Sequence, residues 1–280
     1  MTGGGSPDAP ATAGLVPRRW LLAALAALLA AVVGLAAALL RPAPVDAGAA
    51  GLSAAQRAEV QALVKETLLA SPEIVPQAIA VLQSRETVQL LDARRAEIET
   101  PFASAWAGAA QPDVVLVEFY DFACPYCRQA TRDIERLLAE DKGLRVVYRD
   151  LPVLSRESEE AALASLSAAA QGKHRAFHAA LFAGEGRLTR ERIIRSVRAA
   201  RMDELRTARD IASRAGSAEI ARNLELAQAL GIGGTPAYVV GDRVLSGAVG
   251  HDALKAAIAQ ARARAAARAA VQRGVAPAKG

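Results

Sequence analysis

The order of apolar and polar positions divides this sequence into a long apolar run, two stretches of helical periodicity and a region of short apolar runs. Residues 20–40 contain no charged side chain, and this run is long enough to cross a bilayer as a helix. It also exceeds the apolar core of about 7–15 residues found in a cleaved signal peptide. Because Arg18 and Arg19 precede it, we expect residues 1–19 to be a cytoplasmic tail and the rest of the chain to lie outside. We interpret residues 20–40 as a transmembrane anchor, with a long signal peptide as the alternative.

Helical periodicity continues after a Pro/Ala/Gly linker at residues 41–51. Residues 52–99 predict two amphipathic helices separated by a break, where Ser71 is expected to cap the second helix and Pro72 to occupy its first turn. Helices of this kind must bury their apolar stripes against something. They either pack back onto the domain that follows or form a stalk that self-associates, and the sequence leaves both open.

Short apolar runs in the next region predict an α/β unit. Val114–Tyr120 is a β-branched and aromatic run of strand length. Pro125 suits the first turn of a helix, which is expected to reach about Glu140. Leu144–Asp150 is predicted to be a second strand, so the spacing indicates parallel strands joined by a crossover helix.

The rest of the chain is predicted to be mostly helical. Residues 155–230 indicate four or five short helices, with breaks at glycines: Gly172, Gly184–Gly186 and Gly216. Two apolar runs around Gly241-Asp242 predict a β-hairpin, and a last helix begins at His251. Residues 100–113 are expected to be a linker and residues 266–280 a flexible tail.

Composition narrows the choice of function. The net charge of +5 comes from arginines scattered through helical stretches without interleaved aromatic residues, which is typical of solvated helix faces and argues against nucleic-acid binding. The chain has only two cysteines. Both lie in one motif, so no structural disulfide supports the rest of the fold.

The motif Cys124-Pro125-Tyr126-Cys127 carries the candidate chemistry. Cys124 is placed at a helix N-terminus, where unpaired N–H groups and the helix dipole favour the thiolate, and Cys127 lies one turn further on the same side. A zinc site needs about four ligands, and no second cluster is evident. A disulfide across two residues would restrain little of the unfolded chain. We therefore predict a redox pair in which Cys124 is the nucleophile and Cys127 the resolving thiol.

Two stretches now support a resemblance. Residues 118–127 and the run Gly234-Thr235-Pro236-Ala237 resemble the DsbA family of thiol:disulfide oxidoreductases, in particular its Com1/ScsC-type members. Residues 52–83 resemble the helical segment that precedes the catalytic domain in the ScsC type. The resemblance implies an α/β thioredoxin fold over residues 100–265 with residues 155–230 as a helical insertion. The helical stalk and the transmembrane segment predicted from the apolar pattern precede this domain.

The resemblance also implies roles for single residues. Pro236 would be a cis-proline lying against the two cysteines, and the backbone of Thr235 would pair with a substrate as an added strand. The alternative is an ordinary turn proline that opens a strand. Pro125 and Tyr126 would contact the substrate. Strongly oxidising family members carry histidine where this chain has Tyr126, so we expect a milder oxidant with room for isomerase or reductase work.

Glu118 and two histidines remain. Glu118 lies in an otherwise apolar strand, so we expect a buried carboxyl with a raised pKa that exchanges a proton with Cys127. The alternative is a solvated carboxylate at the strand end. His174 and His178 have the spacing of two ligands on one helix face, but no third ligand is evident, which favours a structural or surface role.

These observations predict a thiol:disulfide oxidoreductase of the cell envelope, an oxidase or isomerase that needs no organic or metal cofactor. Outside the cytoplasm a disulfide can persist. The expected partners are thiol-containing exported proteins and a membrane redox partner, with self-association through residues 52–99 left open. The alternative is an envelope protein that binds copper or zinc through the two thiolates.

Overall fold

The computed structural model describes residues 51–272, which fall into two compact units divided between Pro72 and Glu73. The predicted cytoplasmic tail and the apolar run at residues 20–40 lie outside the described residues. Within residues 51–272, no helix is both long enough and apolar enough to cross a membrane. The unit boundary differs from the one predicted at residue 99.

The first unit contains helix α1, Ala54–Ala70. Ser53 caps it reciprocally with Gln56: the Ser53 hydroxyl accepts from the Gln56 N–H at 3.3 Å, and the Gln56 side chain accepts from the Ser53 N–H at 2.9 Å. No residue of α1 is buried. The predicted cap at Ser71 is wrong, because its N–H closes the last turn of α1 on the carbonyl of Thr67. The next helix instead starts at Ile74, without a side-chain cap.

The second unit holds a five-stranded mixed sheet and nine helices among the residues the structure describes. Its elements are α2 Ile74–Ala93, α3 Arg95–Glu99, β1 Trp106–Gly108, β2 Val114–Tyr120, α4 Pro125–Glu140, β3 Leu144–Asp150, α5 Arg156–Ala170, α6 His174–Ala183, α7 Arg190–Ala199, α8 Glu204–Ile211, α9 Arg214–Ala229, β4 Ala237–Val240, β5 Arg243–Ser246 and α10 His251–Gln272. The sheet order is β1-β3-β2-β4-β5. Strands β2 and β3 are parallel and the other pairs antiparallel. The predicted crossover unit and hairpin are confirmed.

Strand β1 lies in the stretch predicted to be a linker, so that prediction is wrong for residues 106–108. The strand is only three residues long and exists because it pairs with β3, Trp106 opposite Val147. Gly108 ends it with φ +98°, and a Cβ there would lie 2.2 Å from the carbonyl oxygen of Leu144. Only glycine fits this close approach of the two backbones.

The helical insertion contains five helices, α5 to α9, but one predicted break is wrong. Gly216 lies inside α9 and is buried. A Cβ at this position would come within 2.9 Å of the Leu163 side chain, so glycine suits the close packing there. The chain breaks instead at Ala212–Ser213 and at the turn after α7, where Arg201 adopts φ 53°. Helix α10 also crosses the boundary predicted at residue 265, since it continues to Gln272.

The sheet separates two apolar cores. Alternate residues of β2, such as Leu116 and Tyr120, face a core shared with α4, α5, α6 and α10. Val117 and Phe119 point to the opposite face, which α9 covers together with the end of α2 and with α3. In α2 only Leu91 is buried. Only the C-terminal end of the predicted stalk therefore packs onto the domain that follows it.

Arg149 connects the end of β3 to α3 and α9 on the second face. Its side chain, 7% exposed, donates to Asn223 Oδ1 at 2.9 Å and pairs with Glu219 at 3.3 Å. It also donates to the carbonyl oxygens at the end of α3, those of Glu97, Ile98 and Thr100. A cation there complements the C-terminal end of a helix.

We expect Arg149→Met to lower the free energy of unfolding by about 3–5 kcal/mol, because Asn223, several carbonyls and one oxygen of buried Glu219 lose their donor, while Arg222 still pairs with the other oxygen. Urea unfolding followed by circular dichroism measures the loss. The matched control is Arg136→Met, since Arg136 pairs with Glu140 on the surface at 63% exposure and should contribute less than about 1 kcal/mol. Equal effects of the two substitutions would contradict this account of Arg149.

Candidate functional site

The two cysteines lie where β2 passes into α4. Cys124 is the N-cap of α4, with φ −77° and ψ 119°, and Pro125 is its first helical residue. Cys127 follows in the first turn and is 1% exposed. Both are free thiols. The first turn of α4 carries no acidic residue, so no carboxylate there offsets the positive end of the helix dipole beside Cys124.

Asp121 fixes the turn that presents Cys124. This aspartate is 2% exposed. One carboxylate oxygen accepts from the Ala123 N–H at 2.8 Å, and the other accepts from the N–H groups of Val153 and Leu154 at 2.9 and 3.0 Å. The sequence reasoning missed this residue. The sequence signal that could have identified Asp121 is its place directly after a predicted strand, where an aspartate side chain can accept from the backbone N–H two residues later.

Thr235 and Pro236 close the other side of the site. The Thr235–Pro236 peptide bond is cis, and the Cys124 thiol donates to the Thr235 carbonyl oxygen at 3.2 Å. These residues are 111 positions apart in the chain. They meet because β4 pairs antiparallel with β2, Ala237 opposite Phe119. The backbone just before β4 therefore lies against the sulfur.

The two sulfurs differ in their electrostatic surroundings. Burial raises the pKa of the Cys127 thiol far above its usual range, and the nearby charges of Glu118 and Cys124 would raise it further. Cys127 therefore stays protonated at neutral pH. The pair thus holds one thiol at a helix N-terminus and one neutral thiol beneath it.

Glu118 lies under the cysteines on the α4 side of the sheet. It is 2% exposed, so the alternative of a solvated strand-end carboxylate does not describe it. Its cross-strand neighbours are Tyr148 on β3 and Tyr238 on β4. Burial raises the pKa of Glu118 to about 8, so its carboxyl is mostly protonated at neutral pH and can donate a proton.

Comparison with known proteins agrees with this geometry. Residues 115–259, just over half of the chain, match the family model described as the DSBA-like thioredoxin domain. The chain belongs to this family. Residues 56–89 match a second model, described as the N-terminal domain of the copper resistance protein ScsC. Both matches confirm the resemblance found in the sequence.

Several solved structures are similar to this chain. A thioredoxin-like oxidoreductase from Silicibacter pomeroyi is 38% identical, with a TM-score of 0.58 over 60% of this chain and 97% of that one. ScsC from Proteus mirabilis, in a transitional conformation, is 31% identical, with a TM-score of 0.58 over 76% of this chain and 100% of that one. A periplasmic thioredoxin-like protein from Salmonella enterica serovar Typhimurium is 28% identical, with a TM-score of 0.56 over 60% of this chain and 95% of that one. The predicted thioredoxin-like fold and oxidoreductase class are confirmed.

Curated relatives match only in part. The Na(+)/H(+) antiporter NhaA 3 of Salinispora tropica is 32% identical over 160 residues, which is 56% of this chain and 24% of the antiporter. NhaA 1 of Salinispora arenicola is 31% identical over 156 residues, also 24% of its length. The chain therefore spans about a quarter of these relatives.

Two of the three histidines lie in a buried aromatic cluster of this DSBA-like domain. His174 and His178 are buried, with ring centroids 5.6 Å apart, in an aromatic cluster that includes Tyr120 and Tyr148. Burial lowers the pKa of His174 to about 3, so the ring stays neutral. No group of three or more His, Cys, Asp or Glu residues within residues 51–272 has the arrangement of a metal site.

The rim around Cys124 is apolar and open. Tyr126 is 62% exposed and follows the exposed Pro125. Val153 and Leu154 are 49% and 54% exposed, and their backbone is the one that Asp121 holds. A polypeptide that reaches the sulfur would therefore meet apolar side chains.

Proposed function

We propose that this chain is an extracytoplasmic thiol:disulfide oxidoreductase that exchanges disulfides with exported proteins through Cys124 and Cys127. The observation that carries the proposal is the Cys124 sulfur at the N-terminus of α4, 3.2 Å from the carbonyl of Thr235. A location outside the cytoplasm agrees with the periplasmic relative from Salmonella enterica and with the persistence of disulfides there.

The oxidising half of the reaction uses both sulfurs. A substrate thiolate attacks the Cys124 sulfur of the Cys124–Cys127 disulfide, a mixed disulfide forms, and Cys127 leaves and takes up a proton that Glu118 can supply. A second substrate thiolate then attacks the substrate sulfur of the mixed disulfide and releases Cys124. The substrate gains a disulfide and the protein two thiols, which a membrane redox partner reoxidises. In isomerisation, the Cys124 thiolate attacks a substrate disulfide first.

The residues around the sulfur bind the substrate backbone in this proposal. Thr235 and Pro236 offer a strand edge next to Cys124, along which an extended segment can add by backbone hydrogen bonds. Pro125 and Tyr126 contact the segment from the opposite side. Exposure of Tyr126 supports this role.

The direction of transfer follows from the charge near Cys124. Tyr126 adds no positive charge there, so the thiolate lacks the extra stabilisation that makes a disulfide strongly oxidising. Equilibration with glutathione buffers, followed by alkylation and mass spectrometry, measures the reduction potential. We expect a value nearer about −200 mV, typical of isomerase or reductase work, than about −120 mV, typical of an oxidase.

The same experiment tests the class of function. The protein should gain and lose one disulfide reversibly between Cys124 and Cys127. The alternative is a copper- or zinc-binding envelope protein. It is considered because residues 56–89 match a family model described as a domain of a copper resistance protein. Retention of metal by the two thiols with no disulfide at any glutathione ratio would favour that alternative and overturn the proposal.

Two further parts of the proposal concern the N-terminal region. Residues 20–40 would anchor the chain in the cytoplasmic membrane, on the evidence of their apolar sequence alone. Residues 52–99 would self-associate, because α1 exposes Leu63 at 61% and Leu69 at 72%, and α2 exposes Leu82 at 56%. A monomeric mass by light scattering would contradict self-association.

A further inference from the structure

A small cavity lies in the helical insertion, where the end of α6 meets α7. Its volume is about 160 Å³, well below the range of about 300–1,000 Å³ found for sites of drug-sized ligands, so any ligand here is small. Arg192 and Arg195 of α7 line it together with Gly184 from the turn after α6. Among the described residues of the lining, Glu185 alone is acidic, and it is exposed.

Arg192 is a buried cation without a counter-ion. It is 3% exposed and donates to the carbonyl oxygens of Leu181, at the end of α6, and of Gly186. Its Nε–H has no hydrogen-bond partner among the described residues, and within residues 51–272 no carboxylate lies within 4.0 Å of its guanidinium. Because a guanidinium is not deprotonated in proteins, only a bound anion can neutralise this charge.

Two further cations surround Arg192. Arg195 lies three residues later on α7, and Arg128 follows Cys127 on α4. Burial, and then the charges of Arg128 and Arg195, lower the pKa of Arg192, so cations act on it from both helices. In the part of the chain that the structure describes, neither of these two arginines has a carboxylate within 4.0 Å. An anion between them would relieve the repulsion of the like charges.

The other arginines of α7 have partners. Arg190 pairs with Glu160 at 3.0 Å and Arg198 with Glu204 at 3.1 Å. The unpaired cations of this helix are therefore concentrated at the cavity.

Gly184 allows the Arg192 guanidinium to lie against the cavity wall. A Cβ at Gly184 would be 2.5 Å from the Nε atom of Arg192. The backbone of Gly184, with φ −67° and ψ 141°, suits any residue. Its missing side chain therefore serves the close approach of Arg192 rather than the turn itself.

We propose that this cavity binds one small free oxyanion of the size of inorganic phosphate, which Arg195 contacts and which the charges of Arg192 and Arg128 attract. Arginine is well suited to such an ion, because its planar donors match the oxygens of phosphate. The bound ion would connect α4, the helix of the two cysteines, to α6 and α7 of the insertion. This site goes beyond disulfide exchange, and binding does not depend on the cysteines.

The test uses the purified full chain and inorganic phosphate in a Tris chloride buffer of constant ionic strength, which contains no other oxyanion. The line width of the phosphate signal in phosphorus-31 NMR measures binding. Wild-type protein should bind one phosphate saturably with a Kd of about 1 mM, the strength expected of two charge-assisted hydrogen bonds. Its unfolding temperature should rise over the same range of phosphate concentration, with chloride as the replacement ion.

Four variants locate the binding. Arg195→Gln should weaken it by about tenfold, because one charge-assisted hydrogen bond is lost. Arg128→Gln should weaken it by about threefold, since this side chain acts through its charge alone. Gly184→Ala should weaken it without any change in net charge, because the new Cβ displaces the Arg192 guanidinium. The matched control is Arg198→Gln, on the same helix with a side chain 64% exposed, which should keep the wild-type affinity.

Three outcomes would overturn the site. They are the absence of saturable phosphate binding by the wild type, unchanged binding in both Arg195→Gln and Gly184→Ala, and an equal loss in Arg198→Gln, which would mean that phosphate responds only to net charge. Circular dichroism verifies that each variant is folded. Arg195→Lys should recover part of the affinity lost in Arg195→Gln, because it restores the charge without the planar fork of donors.

Discussion

Cys124→Ser should reduce disulfide exchange to the uncatalysed rate, a loss of about a thousandfold or more, because a serine hydroxyl neither ionises near neutral pH nor forms a disulfide. The substitution changes one buried atom at the start of α4, where Cys124 is 4% exposed, so the fold should be retained. The measurement is the rate of exchange with glutathione, with urea unfolding as the check on stability.

Cys127→Ser provides the matched comparison, since it removes the resolving thiol and leaves the nucleophile. We expect this variant to form a mixed disulfide with glutathione or a substrate protein that persists and is visible by mass spectrometry. The double variant should form none. Unimpaired exchange in Cys124→Ser, or trapping through residue 127 rather than 124, would reverse the assigned roles.

The elements that frame the cysteines could be predicted because their signals are local. Val114–Tyr120 and Leu144–Asp150 are apolar runs of strand length, and Pro125 marks a helix start. Strand β1 could not be predicted, since three residues carry no periodicity and only pairing with β3 makes them a strand. The helix break predicted at Gly216 was wrong for a similar reason. Gly216 packs closely against the Leu163 side chain, a contact that the local sequence does not encode.

The site was predictable only where a family motif or a single strand carried the signal. The approach of Thr235 to Cys124 spans 111 positions, so it came from the resemblance and not from any pattern. The Asp121 carboxylate accepts from the backbone N–H groups of residues 153 and 154. Backbone groups give no signal in the sequence, so these partners could not be predicted. Glu118 was the exception, because its position within an apolar strand predicts from the sequence alone that its carboxyl is buried.

The burial of Glu118 should make stability depend on pH. Its pKa is raised from 4.5 to about 8, so between these values the folded protein binds a proton that the unfolded chain releases. The stabilising contribution of the Glu118 proton is therefore fully present below about pH 4.5 and is lost as the pH rises through about 8. The loss attributed to this one group is of the order of 5 kcal/mol.

Glu118→Gln removes the titration while keeping the shape and polarity of the neutral acid. At pH 4 the variant and the wild type should unfold within about 1 kcal/mol of each other, and by pH 8.5 the variant should be the more stable by several kcal/mol. Urea unfolding of the reduced proteins at several pH values measures the difference. Asp150, whose pKa burial raises to about 7, contributes a slope of the same sign to both proteins, so it cancels in that comparison.

The same proton links stability to exchange. A carboxyl held neutral under Cys127 can give its proton to the departing sulfur, whereas glutamine cannot, so the variant should combine higher stability at alkaline pH with slower opening of the Cys124–Cys127 disulfide. A parallel pH dependence of unfolding in the two proteins would mean that Glu118 ionises normally in the folded state. That result would remove both the stability effect and the proton transfer assigned to it.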